Sequence, residues 1–182
     1  TYDPTREIVY GRGNLSFTSI NLPRLAIKAK GDIDFFFEGL DRVIDLAIGQ
    51  LYDRYKIQSQ KKVKNFPFLM GQGIWIDSDK LGPEDTIEEV IKHGTLTVGF
   101  IGLAECLKVL TGKHHGESKE AQSLGLEIVG YMRKRMDEEA RRTGLNWSLI
   151  ATPAEGLSGR FVRIDKKKFG IIPGVTDRDY YT

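Results

Sequence analysis

The sequence is poor in cysteine, in long apolar runs and in net charge. Cys106 is the only cysteine among 182 residues, so no disulfide framework can form within the chain. The longest uncharged apolar stretch, residues 94–104, has 11 residues, whereas a helix needs about 20 to cross a membrane. The first residues show no basic segment followed by an apolar one, so we expect no signal peptide. These absences exclude a membrane span. We expect a cytoplasmic location.

The charges are nearly balanced, with 27 Lys and Arg against 25 Asp and Glu, for a formal net charge of +2. A nucleic-acid-binding surface would need an excess of positive charge, so we expect no DNA or RNA partner. Hydrophobic residues make up 40% of the chain, enough for a sizeable core, which excludes disorder. The chain opens without Met and ends at Thr182, and we therefore expect a piece of a longer protein.

Strands and helices alternate along the chain, which predicts an α/β fold with a largely parallel sheet. Three strands and two long amphipathic helices are predicted from the apolar spacing. The strands are residues 15–21, 95–101 and 146–151, and the long helices are 32–58 and 118–143. Asp32 is the predicted N-cap of the first long helix.

The shorter segments have less regular sequence patterns. Thr86 opens a predicted capping box and a short helix, and residues 102–110 predict another helix that Gly112 ends. Residues 66–76 are expected to be irregular buried chain or a short strand. Residues 165–168 are expected to form a charged turn.

The segment 152–156 follows the third predicted strand, where α/β folds place ligands. Thr152 and Pro153 are predicted to begin a helix, with Ala154, Glu155 and Gly156 in its first turn. The free N–H groups of that turn and the helix dipole suit a phosphate. The alternative is that Thr152 caps the helix and Glu155 completes a capping box, which the residues alone favour by about two to one because capping is ubiquitous.

Three other positions carry candidate chemistry. Glu105 begins a helix after a strand and either faces a pocket or favours the helix dipole. Its neighbour Cys106 is a nucleophile or, more in keeping with its apolar flanks, a core residue. Asn14 follows two glycines and suits a turn. The pair His114 and His115 lacks the further ligands that zinc needs, so we expect no metal in this chain.

Four strings occur in order along the chain. They are GRGNLSFTSINLPR at 11–24, GFIGLAE at 99–105, NWSLIATPAEGLSGRF at 146–161 and GVTDRDYYT at 174–182. Together, and from end to end of the chain, they resemble segments of the anaerobic (class III) ribonucleoside-triphosphate reductases, a glycyl-radical family.

The resemblance implies part of a ten-stranded α/β barrel of the glycyl-radical enzyme and ribonucleotide reductase type, with long flanking helices. It implies that residues 1–182 are a central part of the catalytic barrel domain, with the radical cysteine upstream and the glycyl-radical loop downstream. The whole enzyme would reduce ribonucleoside triphosphates to deoxyribonucleotides for DNA synthesis, and this piece alone would be inactive.

The resemblance also implies partners and cofactors that this chain does not supply. They are a glycyl radical, a structural zinc, formate or a thiol as reductant, nucleoside triphosphate (ATP-type) effectors, an iron–sulfur activase that uses S-adenosylmethionine, and a second copy in a homodimer. No cofactor is expected within the chain itself.

The strings shared with the family imply roles for two sites of this chain. Asn14 matches the active-site asparagine, whose amide would hold a ribose hydroxyl, and the turn from Thr152 to Gly156 matches the loop that holds the substrate phosphates. With this match, we favour the phosphate-binding interpretation of residues 152–156 over the helix-capping interpretation by about three to one. Glu105 carries over as a catalytic candidate at the pocket rim. Cys106 matches neither radical cysteine nor thiol partner, which favours core packing.

Two other functions are open at this stage. One is a stand-alone nucleotide- or phosphate-binding α/β module without catalysis. The other is a glycyl-radical enzyme of the same barrel type that acts on pyruvate or a diol, against which the GRxN and TPAEG strings count.

Overall fold

The computed structural model of the chain describes Thr5 and residues 9–182, apart from the side chain of Glu155. These residues form two compact units, each assembled from three stretches of the chain. The first unit contains the residues up to Thr18 with 48–97 and 136–148, and the second contains 19–47, 98–135 and 149–182.

Three strands form one parallel sheet in the order β1–β2–β3. They are β1 (Asn14–Asn21), β2 (Thr95–Ile101) and β3 (Asn146–Ala151). The central strand β2 is apolar and largely buried along its length, as expected for the interior of a parallel sheet. The predicted strands and the α/β class are therefore confirmed.

Six α-helices lie in the described part of the chain. They are α1 (Leu22–Ala29), α2 (Ile33–Ser59), α3 (Glu88–Ile91), α4 (Leu103–Thr111), α5 (Lys119–Thr143) and α6 (Glu155–Phe169). The backbone N–H of Phe35 donates to the Asp32 carboxylate at 2.9 Å, which confirms the predicted N-cap of α2. Gly112 ends α4 in the left-handed conformation, also as predicted.

The first unit has a core around Trp75. Its indole N–H donates to the Val90 carbonyl at 2.8 Å, and this hydrogen bond joins the turns of residues 66–76 to the short helix α3. The residues packed in this core are Val63, Met70, Trp75, Ile87, Val90 and Ile91. Residues 66–76 are a series of turns rather than a strand, as their glycines and Pro67 indicate. The expectation that this segment is buried is wrong, because only Met70 and Trp75 in it are buried.

The second unit has a core in which the end of the chain packs against α6. Ile101, Val162, Val175 and Tyr181 are buried together there. In the same unit, Arg135 of α5 donates to the carboxylates of Asp41 and Asp45 on α2.

Four sequence predictions differ from the structure. Residues 22–29 form a helix that the sequence analysis did not identify, with Asn21 as its N-cap. Thr86 does not cap α3, which begins after Ile87 and has no side-chain cap.

Residues 165–168 lie inside α6 rather than in a turn, because the apolar spacing of that helix continues to Phe169. Pro153 precedes the helix, whose N-cap is Ala154.

Across residues 9–182, each helix is too short or too polar to cross a bilayer.

Candidate functional site

The turn after β3 is held to the central strand by its backbone and to β1 by a side chain. The Thr152 N–H donates to the Phe100 carbonyl at 2.9 Å. The Thr152 and Ser19 hydroxyl oxygens lie 2.9 Å apart. The two hydroxyls meet over Gly99, where a β-carbon would overlap the Thr152 oxygen. The absence of a side chain at Gly99 therefore makes this contact possible.

The hydrogen bonds at the start of α6 contradict the capping interpretation of residues 152–156, whereas the phosphate interpretation stays a prediction. The N-cap residue is Ala154, and no side chain caps the helix, so Thr152 is not its cap. The Ala154 N–H donates to the Thr152 carbonyl at 2.9 Å, so this group is not free for a ligand. Within the described residues, the N–H groups of Gly156 and Leu157 make no hydrogen bond.

Gly156 is exposed, and a β-carbon there would meet no atom within 4 Å. A ligand can therefore approach the backbone at this point. The side chain of Glu155 lies outside the described part of the structure.

Two cavities adjoin the turn. One has a volume of about 490 Å³ and is lined by residues 152–154, Ser158 and residues 180–182. The other, of about 310 Å³, is lined by residues 151–153 and by Phe100, Leu103, Ala104, His115 and Thr182. Thr152, Pro153 and Thr182 border both cavities.

Glu105 lies in the first turn of α4 and is only 1% exposed, so it is not on an open rim. One carboxylate oxygen, Oε1, accepts from the Arg178 guanidinium. The other, Oε2, accepts from the Thr182 N–H at 3.2 Å and from the Thr182 hydroxyl at 2.9 Å. Both oxygens are therefore occupied by the last residues of the chain.

Asp165 of α6 is a second fully buried carboxylate, and the sequence analysis missed it. It accepts from the Asn21 amide at 2.8 Å, from Arg24 Nε at 2.6 Å and from the Tyr181 hydroxyl at 3.1 Å. Burial and the neighbouring Asp165 carboxylate raise the pKa of Tyr181. Residues 158, 162 and 165 are spaced as one buried helical face, and this spacing could have identified Asp165.

Asn14 is the first residue of β1, in the first unit, and it is exposed. Its side-chain amide makes no hydrogen bond to any residue that the structure describes. The preceding residue is fixed, because the Thr95 N–H donates to the Gly13 carbonyl at 3.0 Å. The catalytic role of Asn14 stays a prediction.

Cys106 is fully buried, and burial together with the charge of Glu105 raises the pKa of its thiol. The core-packing interpretation is therefore confirmed. His114 organises its own loop, since its Nδ1 accepts from the Gly116 N–H at 3.0 Å. Throughout residues 9–182, no group of three or more His, Cys, Asp or Glu could hold a metal ion.

The fold and the cavities define the class of the protein. A parallel sheet whose strands lead into helices, with cavities where the strands end, is typical of α/β proteins that bind ligands at the carboxyl edge of the sheet. The family model of the anaerobic ribonucleoside-triphosphate reductases matches residues 2–182, and the chain belongs to that family.

Individual relatives agree with the family match. The chain is 37% identical over 175 residues to the anaerobic ribonucleoside-triphosphate reductases of Salmonella typhimurium and of Escherichia coli, covering 94% of this chain and 24% of theirs. It is 33% identical over 182 residues to the enzyme of bacteriophage T4, covering 97% of this chain and 28% of that one. The chain thus spans about a quarter of the length of these relatives.

Solved structures show the same fold at lower identity. The anaerobic ribonucleotide reductase of Thermotoga maritima, with citrate in its active site, matches with a TM-score of 0.76 at 16% identity. The match covers 94% of this chain and 30% of that chain. The predicted fold, part of the α/β barrel of the ribonucleotide reductases, is thereby confirmed.

Proposed function

We propose that the chain is a central part of the catalytic barrel domain of an enzyme that reduces ribonucleoside triphosphates to 2′-deoxyribonucleoside triphosphates under anaerobic conditions. The family match over residues 2–182 carries this proposal. The piece contributes substrate-binding groups, and the radical chemistry comes from elsewhere in the full-length protein.

The start of α6 is the proposed phosphate site. The free N–H groups of Gly156 and Leu157 support it, since they lie at the positive end of a 15-residue helix. The open space at Gly156 and the neighbouring 490 Å³ cavity leave room for a triphosphate. The site begins later than residues 152–156 predict, because the Ala154 N–H is already used by Thr152.

Asn14 is the proposed catalytic contact to the ribose. A neutral amide both donates and accepts hydrogen bonds, so it can follow a hydroxyl that becomes a carbonyl. Its exposure, and the lack of a partner within residues 9–182, leave both ends of the amide available.

For the whole enzyme we propose the cofactors and partners that the family resemblance implies. A glycyl radical supplies the radical chemistry, an iron–sulfur activase installs it, and formate or a thiol supplies electrons. We further propose a structural zinc, nucleoside triphosphate effectors, a homodimeric assembly and a cytoplasmic location, where the nucleotide substrates are found.

The alternative of a stand-alone binding module is not favoured, because the relatives are named as reductases across 94–97% of this chain. The same names count against a glycyl-radical enzyme for pyruvate or diols.

Conversion of nucleotides by the full-length protein tests the proposal. We would activate the protein anaerobically, supply each of the four ribonucleoside triphosphates and measure the deoxyribonucleotides by chromatography. We expect conversion only after activation, with unactivated protein as the control. Nucleotide binding without conversion after radical formation has been verified would contradict the proposal and support a binding module.

A further inference from the structure

Glu105 is a buried carboxylate that accepts a hydrogen bond from the backbone of a cavity-lining residue, Thr182. Its side chain is 1% exposed, and its oxygens accept from Arg178 and from two groups of Thr182. A buried carboxylate without partners is strongly unfavourable, so these contacts hold each other in place. Glu105 therefore ties α4 to the end of the chain.

Of the two residues that Glu105 contacts, Thr182 borders the cavities. Thr182 lines both cavities beside the turn, and residues 180–182 line the larger one. The backbone adds one more tie, since the Gly102 N–H donates to the Thr182 carbonyl at 2.5 Å. A shift of residues 178–182 would move this wall with respect to Thr152 and Pro153.

The two partners of the ion pair between Arg178 and Glu105 differ in their exposure to solvent. Its side chain is 42% exposed, while the carboxylate that it contacts is buried. If the Arg178 side chain alone moved away, solvent would satisfy its guanidinium, whereas Glu105 would stay buried with one oxygen unpaired. This cost at Glu105 favours the closed contact.

We propose that Glu105 is a positioning residue: it fixes residues 178–182 as a wall of the substrate cavity and thereby sets the affinity for the ribonucleoside triphosphate. This inference rests on the proposed function. Glu105 acts through Arg178 and Thr182 and does not itself contact the substrate.

The test compares two buried neighbours on α4 in the full-length protein, with CTP as the substrate. Glu105→Gln keeps the size of the side chain but removes the charge that pairs with Arg178. We expect an approximately tenfold higher KM for CTP with little change in kcat, because misplacement of a binding wall weakens binding. Hydrogen–deuterium exchange in a peptide that covers residues 178–182 should become faster.

Cys106→Ala is the matched control. Cys106 is as buried as Glu105, but within the described residues its side chain makes no hydrogen bond to residues 178–182. We expect this variant to lower the thermal midpoint and to leave the KM for CTP and the exchange of residues 178–182 unchanged. An equal rise in KM in both variants would reduce Glu105 to a structural residue and overturn the inference.

Arg178→Gln provides a second variant that opens the same contact from its exposed side. If Glu105 and Arg178 act through one contact, the double variant should have the KM of the more affected single variant, whereas independent roles give multiplied effects. Unchanged exchange of residues 178–182 in Glu105→Gln overturns the inference whatever happens to CTP. A wild-type protein that fails to convert CTP, with its exchange behaviour as expected, overturns the proposed function instead.

Discussion

The hydroxyl oxygens of Ser19 and Thr152 are 2.9 Å apart, although the two residues lie on opposite sides of the central strand β2. Gly99 of that strand lies beneath them, and its lack of a side chain leaves the space in which the hydroxyls meet. The turn that leads into α6 is thereby tied to a strand 133 positions earlier in the sequence.

Gly99→Ala is expected to lower the stability of the protein by about 1–3 kcal/mol, because the new methyl group would overlap two hydroxyl oxygens in a packed site. Gly130→Ala in α5 is the matched control, since a β-carbon there meets nothing within 4 Å. The control should gain about 0.5–1 kcal/mol from helix propensity. Thermal midpoints of the full-length variants measure both effects, and a loss of equal size in the two would rule out the steric explanation.

Bulk at Gly156 should weaken substrate binding without disturbing the fold. Gly156→Val adds a side chain in open space, so we expect a small change in thermal midpoint but at least a tenfold rise in KM if phosphates approach this backbone. Glu155→Gln should change KM only mildly. Similar small effects in both variants would argue against a phosphate site at this turn.

Asn14→Ala should remove activity while leaving the structure intact. The side chain is exposed and has no hydrogen-bond partner within residues 9–182, so its loss should not shift the thermal midpoint. Removal of one preorganised hydrogen-bonding group lowers rates by about 10²–10³. Turnover assays, together with electron paramagnetic resonance to verify radical formation, measure the effect, and wild-type turnover would contradict the assigned role.

Asp165→Asn should destabilise the second unit strongly. The carboxylate is fully buried and accepts from Asn21, Arg24 and Tyr181, so neutralising it leaves Arg24 without its counter-charge at a cost of about 3 kcal/mol. Glu84→Gln removes two exposed ion pairs and serves as the control with no measurable shift. Chemical denaturation compares the two, and equal midpoints would contradict the importance of burial.

Tyr181 should make stability decline at alkaline pH. Its pKa is raised above the ordinary value of 10.0 by burial and by Asp165, so the fold favours the neutral phenol. This contribution is complete below pH 10 and decreases as pH rises above it, because the unfolded chain then releases the proton first. Tyr181→Phe should lose less stability between about pH 8 and pH 11 than the wild type. Parallel pH profiles of the two proteins would disprove this coupling.

Local sequence patterns predict the regular elements well. The bounds of β2 and β3 match the prediction. Gly94 and Gly102 adjoin β2 directly and mark both of its ends. The N-cap at Asp32 was also predictable, since the cap lies three residues from its donor.

Contacts between distant residues set the limit of such predictions. Asp165 precedes three lysines and is typical of an exposed turn by composition, yet its charge partner Arg24 lies 141 positions away. Thr152 likewise fits a helix cap by local rules, but Ser19 provides its partner. Glu105 is predictable as a carboxylate in the first turn of a helix, whereas its burial depends on residues 178–182.

Asn21 uses both ends of its side-chain amide, so conversion of that amide to a carboxylate would affect its two contacts differently. The amide oxygen accepts from the Arg24 N–H at 3.1 Å, and the amide nitrogen donates to Asp165. Hydrolysis of the amide to aspartate would preserve the first contact but would place two carboxylates side by side at the second. Deamidation at this single position would therefore spare the cap of α1 and break its link to α6, a form of damage that a charge-sensitive separation could follow as the protein is stored.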